Sequence, residues 1–144
     1  MSNSDKNVPS KTIAEQITDV VNTFQKQNTG HTPTSVSVVL GEDTLVITLH
    51  EALSPVEKAL ASTAEGAAQI QEFHRQLFAA SSKKLCQEIQ QITGREVREA
   101  VAEVEPKTGI IIHAFTTGTV VQVFLFENDS SSEDASQSDT DQLS

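Results

Sequence analysis

Cysteine and the large aromatic residues are nearly missing from this sequence of 144 residues. It contains one cysteine, no tryptophan and no tyrosine. The single Cys86 cannot form an internal disulfide bond, and it suits a reducing compartment. Without tryptophan and tyrosine the chain lacks the side chains that stack best on the bases of single strands. These absences favour a cytoplasmic protein that does not bind nucleic acid.

Long hydrophobic runs are also absent. No stretch approaches the roughly 20 consecutive apolar residues that a transmembrane helix needs, so we expect no direct membrane insertion. The first residues show no basic segment followed by an apolar run, so the sequence predicts no secretory signal. Glycine is scarce, with six residues, and the glycine-rich motifs that cradle phosphate groups do not occur.

Basic residues are missing from the C-terminal segment 127–144. It contains six acidic residues, and Leu143 is its one sizeable aliphatic side chain. Such a segment buries too little apolar surface to offset the entropy of ordering its backbone, about 1–2 kcal/mol per residue. We therefore predict a disordered acidic tail at 127–144, a disordered N-terminus at 1–11 and one folded domain at 12–126. The acidic tail is either a phosphorylated segment or a solubilising one.

The charge that remains outside the tail is modest. The whole chain has a net charge of −10, and without the tail this becomes −4. A protein that binds nucleic acid needs a surplus of cations to meet the phosphates. The balance of charges therefore gives a second reason to exclude nucleic-acid binding.

Helical spacing of apolar residues predicts three helices. The first has its apolar residues at 13, 17, 20, 21 and 24, about three turns, and a glycine and a proline follow its end. Ser54, Pro55 and Glu57 are typical of a helix start and predict a short helix over 55–61. A long helix follows and closes at Gly94. Its predicted buried stripe consists of Ile70, Phe73, Leu77, Phe78, Leu85, Ile89 and Ile92.

Alternation of apolar and polar residues predicts strands elsewhere. Residues 35–40 and 44–49 flank a short glycine-containing loop, which indicates a β-hairpin. Residues 110–115 and 120–126 flank a second turn and predict a second hairpin. Residues 97–104 fit a helix or a strand, and the turn that follows them favours a strand. The order of elements predicts an α+β fold, a two-layer sandwich whose mostly antiparallel sheet of four to five strands lies against the long helix.

No residue pattern typical of a catalytic or metal site occurs in the sequence. The four histidines lack the spacing that places two imidazoles on one helix face, and none has a cysteine nearby. We expect them to be solvated or singly hydrogen-bonded, and His113 stands out because its strand neighbours are apolar. The sequence therefore predicts a protein that is not an enzyme and holds no metal and no cofactor.

Several short motifs follow one another in a characteristic order. They read GHTPTSV at 30–36, LSPVEKAL at 53–60, EG at 65–66 and ITGREV at 92–97. In this order the sequence resembles a small bacterial family, first defined as a domain of unknown function. The family is named for the third component (MpsC) of a Na+-translocating, membrane-potential-generating system. The resemblance covers roughly residues 13–104. It implies a cytoplasmic accessory protein of a membrane ion or inorganic-carbon uptake system, without catalytic residues.

Few side chains in these motifs could bind a ligand or a partner. They are Lys58, Glu65 and Arg95, together with His31 in the loop before the first strand. Two hypotheses follow. The first is an accessory or regulatory module that acts through protein contacts. The alternative is a small-ligand sensor that binds an anionic metabolite through these four residues.

Apolar residues occupy both faces of the predicted strands. A sheet with one face in water would alternate cleanly between apolar and polar residues. We therefore predict that a second copy of the chain covers part of the second face in a homodimer, the commonest kind of oligomer. In the alternative, the first helix crosses to that side and the protein is a monomer. The predicted interface residues are Val39, Val46, Val120, Phe124 and Phe126.

Deleting residues 127–144 should leave the melting temperature of the domain nearly unchanged, because a disordered segment contributes no buried surface. Solubility near neutral pH should fall instead, since six negative charges go with the tail. Thermal denaturation and a precipitation assay of the full and the shortened chain test this. A large drop in melting temperature would show that the tail docks on the domain.

Overall fold

The computed structural model describes residues 11–118 together with Val123 and Leu125. Helices α1 to α3 and strands β1 to β4 follow one another along the chain in the order α1, β1, β2, α2, α3, β3, β4. Their bounds are α1 Ile13–Thr29, β1 Ser35–Leu40, β2 Thr44–His50, α2 Pro55–Leu60, α3 Ala64–Thr93, β3 Glu99–Glu105 and β4 Ile110–Thr116. The four strands form one antiparallel sheet, and α3 packs against it. The predicted α+β fold is confirmed.

Three predicted features lie outside the described residues. They are the N-terminal segment up to residue 10, the last predicted strand apart from Val123 and Leu125, and the acidic tail at 127–144. The predicted interface residues Val120, Phe124 and Phe126 belong to this part of the chain.

Helix α1 begins at a reciprocal cap and ends at a glycine. The Glu15 N–H donates to the Thr12 hydroxyl at 3.1 Å, and the Thr12 N–H donates to the Glu15 carboxylate at 3.0 Å. Gly30, with φ of 76°, ends the helix. At 17 residues α1 has more than the three turns predicted, but it ends at the predicted glycine. The apolar pattern stops early because the next inward position is Gln25, a polar residue that is nevertheless buried.

Helix α2 is joined to the start of α3 by a tight turn. Ser54 and Glu57 form the predicted capping box of α2. A Cβ atom at Gly66 would lie 1.8 Å from the carbonyl oxygen of Leu60, so only glycine lets α2 approach α3 this closely. From there α3 runs for 30 residues, about 45 Å, to a left-handed Gly94.

The buried stripe of α3 differs from the predicted one at Phe73. The centre of the stripe is Ile70, His74 and Phe78, spaced four residues apart, whereas Phe73 is 49% exposed. Phe73 lies about 100° round the helix from His74, so the two cannot both face the core. The prediction that Phe73 is a core residue is wrong. A prediction based on apolar residues includes Phe73 and omits His74, because histidine is polar. In the structure it is His74 that faces the core.

The sheet has the strand order β1-β2-β4-β3, with every neighbouring pair antiparallel. Residues 99–105 form strand β3, so the strand interpretation of this stretch is confirmed. Strand β4 lies between β2 and β3 and is hydrogen-bonded on both sides. It therefore has no free edge for the second hairpin that the sequence predicted between 110–115 and 120–126.

Both helices that contact the sheet lie on one face of it. Ile17 and Val21 of α1 belong to the same buried cluster as Phe78 of α3 and the inward side chains Ile47 and Phe115 of the sheet. Helix α1 therefore does not cross to the second face, and the arrangement proposed for a monomer is not the one observed.

The two phenylalanines of α3 should differ in their effect on stability. Phe78→Ala should lower the free energy of unfolding by about 3–5 kcal/mol, because Phe78 is 6% exposed and packs on His113 and Phe115. Phe73→Ala, at the half-exposed position, should cost less than about 1 kcal/mol. Urea denaturation of both variants measures the difference. Equal losses would contradict the assignment of the two faces.

Candidate functional site

The outer face of the sheet, opposite the helices, carries an apolar row across all four strands. Val39, Val46, Ala114 and Val101 are register partners in that order, from β1 to β3. Among the described residues, both helices that contact the sheet lie on the other face. Exposure falls from 65% at Val39, through a partly buried Val46, to 2% at Ala114. We call these four residues the outer row.

Polar residues flank the outer row on both sides. One neighbouring register row joins Thr44, Thr116 and Glu99. The row on the other side joins Thr48 to Ile112 and contains Ser37 and Glu103 at its ends. An apolar centre with a polar rim is the usual anatomy of a protein–protein interface. The outer face therefore has the composition of a surface that binds another protein.

The two edges of the sheet differ in charge. Strand β3 has the sequence EAVAEVE, with three glutamates. Strand β1 has the sequence SVSVVL, without a charged residue or a proline. Charged side chains on an edge strand oppose the addition of another strand, and an uncharged edge lacks this protection. The edge at β1 is therefore the one able to accept a further strand.

A buried hydrogen bond between His74 and Glu57 joins α2 to α3. The His74 Nε2 atom lies 2.8 Å from Glu57 Oε2, and the other carboxylate oxygen accepts the Ser54 N–H at 2.9 Å. Burial alone would raise the pKa of Glu57, but the hydrogen bonds from His74 and Ser54 outweigh it and hold the pKa below its usual value. Glu57 therefore caps α2 and also anchors it to α3.

Sequence analysis missed this pair because it gave Glu57 only the capping role. It allowed a singly hydrogen-bonded His74, as the structure shows, but it did not identify the partner. One signal was available. His74 lies four residues from Ile70 and four from Phe78, at the centre of the apolar stripe. A polar residue at such a position is buried and needs a partner.

His113 is buried among aromatic rings. Its ring centroid lies 4.7 Å from that of Phe78, 6.3 Å from that of Phe24 and 6.4 Å from that of Phe115. Burial, followed by the nearby charge of His74, lowers the pKa of His113 to about 3. The imidazole is therefore neutral near pH 7. Its apolar strand neighbours had marked it out in the sequence.

The structure does not bring together the four residues predicted to bind a ligand. His31 lies where β2 ends, with its Nε2 atom 3.1 Å from the Glu51 carbonyl oxygen. Lys58 is at the same end of the sheet, because its Cε atom lies near Gly109. Arg95 lies at the opposite end, where its guanidinium donates to the carbonyl of the β1–β2 loop at 3.0 Å. Glu65, in the first turn of α3, is separated from Arg95 by nearly the whole of that helix.

A groove of about 290 Å³ lies between α1 and α3. Val20, Phe24 and Leu85 form its apolar part, and it contains none of the four predicted binding residues. Within residues 11–118, no group of three or more histidine, cysteine or acidic residues could hold a metal ion. None of the helices α1 to α3 is long and apolar enough to cross a membrane.

The family motifs lie at caps, helix ends and one close contact of this fold. Gly30 and Gly94 end α1 and α3 in the left-handed conformation, and Gly66 admits Leu60. The family model described as Na+-translocating membrane potential-generating system (MpsC) matches residues 10–119. The chain belongs to the MpsC family. No curated protein and no solved structure matches it.

The resemblance inferred from the motifs is therefore confirmed. Five residues of the motifs have structural roles in this chain: Ser54 and Glu57 cap α2, Gly30 and Gly94 end helices, and Gly66 makes room for Leu60. The link to a Na+-translocating system comes with the family.

Acid should destabilise the MpsC domain through His113. The unfolded chain takes up this proton near pH 6.5, while the folded chain takes it up only near pH 3. Stability should therefore be complete above pH 6.5 and fall by up to about 5 kcal/mol as the pH drops to 3. In His113→Leu most of this fall should disappear. Urea denaturation between pH 7 and pH 4 measures it.

The control for this experiment is His50→Asn, which replaces a partly exposed histidine at the end of β2. It should retain the wild-type pH dependence. If His113→Leu loses stability with pH as steeply as wild type, another group controls the acid response.

Proposed function

We propose that this MpsC chain is a non-catalytic, cytoplasmic accessory or regulatory module of a membrane ion or inorganic-carbon uptake system. It forms a homodimer, and it contacts its membrane protein partner through the outer face of its sheet. The outer row is the observation that carries this proposal. Val39, the most exposed of its four residues, is 65% exposed, and both helices that contact the sheet pack on the opposite face.

The geometry of the outer face supports a protein partner better than a small ligand. The row crosses four strands, and the rows on either side of it contain threonine, serine and glutamate together with Ile112. Small-molecule sites are concave and converge polar groups on one point. His31 and Arg95 lie at opposite ends of the sheet, so they cannot bind the same small ligand. This separation argues against the sensor hypothesis.

The proposal predicts a membrane protein partner that depends on the outer row. The tagged wild type and the double variant Val46→Lys with Val101→Lys are used as baits against detergent-solubilised membranes of the native host. Both valines are partly exposed on the outer face, so lysine can be accommodated while it places charge in the interface. An integral membrane protein recovered by wild type should fall at least about tenfold with the variant, which corresponds to a loss of about 1.4 kcal/mol.

The matched control carries the same added charge elsewhere. Gln69→Lys with Gln76→Lys substitutes two exposed residues of α3 and should recover the partner as well as wild type does. Melting temperatures check that all three baits are folded. Loss of the partner with both double variants, or no membrane protein with any bait, would overturn the proposal.

A further inference from the structure

Strand β1 presents an open edge among the described strands. It pairs with β2 on one side and is the end strand of the sheet on the other. Val39 and Leu40, at its end, are 65% and 43% exposed. An edge strand with unpaired backbone groups and no charge is a template for another strand. The opposite edge, β3, carries three glutamates, so the two edges are not equivalent.

The hydrogen-bond alternation shows which backbone groups of β1 point outward. Gly41 donates its N–H to the Thr44 carbonyl oxygen at 2.7 Å. In an antiparallel pair, the residues that exchange hydrogen bonds with the partner strand alternate. Ser37 and Val39 therefore bond towards β2. The N–H and C=O groups of Val36, Val38 and Leu40 point to the open edge.

The outward groups of β1 are complementary to those of a second β1. In an antiparallel pair about a two-fold axis at Val38, each Val36 lies opposite a Leu40 and the two Val38 residues face each other. All of these residues have outward backbone groups, so the hydrogen bonds of both copies are satisfied together. Opposite side chains also match. Aliphatic residues meet on the helix side of the sheet, and no like charges face each other.

We propose that the edge of β1 binds the β1 strand of a second copy of this chain, in the register centred on Val38. The pairing joins two four-stranded sheets into one sheet of eight strands. This inference rests on the homodimer in the proposed function, and it places the dimer interface at the edge of β1 instead of on the outer face predicted from the sequence. The outer faces of both copies then lie on the same side of the joined sheet. The second copy extends the outer row and leaves it accessible to the membrane partner.

The register can be tested with charges at two outward-facing side chains. Ser37 of one copy lies opposite Val39 of the other, and both residues are exposed. The variant Ser37→Lys with Val39→Lys places like charges opposite each other twice. The matched variant Ser37→Glu with Val39→Lys places opposite charges at the same two positions. Neither variant alters the core, and melting temperatures check the fold of each.

Light scattering across micromolar concentrations gives the first readout. Wild type and the Glu–Lys variant should have about twice the monomer mass of 15.5 kDa, and the Lys–Lys variant should dissociate at least about tenfold more readily. Amide hydrogen exchange gives the second. The amides of Val36, Val38 and Leu40 should be protected in the dimers and exchange faster in the Lys–Lys variant.

Two results would overturn the inference, and each leaves the membrane partner to be judged on its own test. A wild-type mass that stays at the monomer value removes the dimer. A Lys–Lys variant that dimerises as well as the Glu–Lys variant, with unprotected amides at the three positions, shows that the two copies meet elsewhere. The pull-down with the Val46 and Val101 variant decides the outer face independently.

Discussion

The placement of both packing helices on one face of the sheet governs what the rest of this molecule can do. A short loop connects α1 to β1, and α1 packs on one face of the sheet. Helix α3 packs on the same face, and the chain then enters β3. Apolar burial is thereby concentrated between one face of the sheet and two helices. A four-stranded sheet has a second face and two edges that this arrangement does not cover. The candidate interaction surfaces follow from this geometry.

Polar side chains within the helical layer help to fix this arrangement. The Glu57–His74 pair holds α2 against α3, and no residue of α2 is buried. Breaking a buried pair leaves a desolvated group without a partner, which costs more than the intact pair contributes. This hydrogen bond therefore fixes the position of α2 on α3, whereas an apolar contact would allow several positions. His113 lies in the core among aromatic rings, and its imidazole must be neutral for the chain to fold.

Local signals in the sequence predicted the elements well, because caps and periodicity act over a few residues. The Ser54–Glu57 box, the first hairpin and the two helix-ending glycines are all present. Features that depend on distant partners escaped prediction. Phe73 and His74 exchange roles because a histidine with a carboxylate partner can occupy an inward position. Strand order is another such feature, since nothing near β4 in the sequence shows that β3 takes its second edge.

The candidate surfaces were predictable in part for the same reason. Alternation placed Val39 and Val46 on the face away from the core, and the register of the sheet aligns them with Ala114 and Val101. The alignment of these residues depends on the strand order. The sequence therefore predicted apolar residues on the outer face, but it could not predict that they form a row. The difference between the edges depends on the strand order as well. The three glutamates of β3 protect the sheet only because β3 is an edge strand. The uncharged β1 is a candidate binding surface only because it is the other edge strand. The topology of the sheet is what brings these valines together into the two surfaces that we propose for recognition.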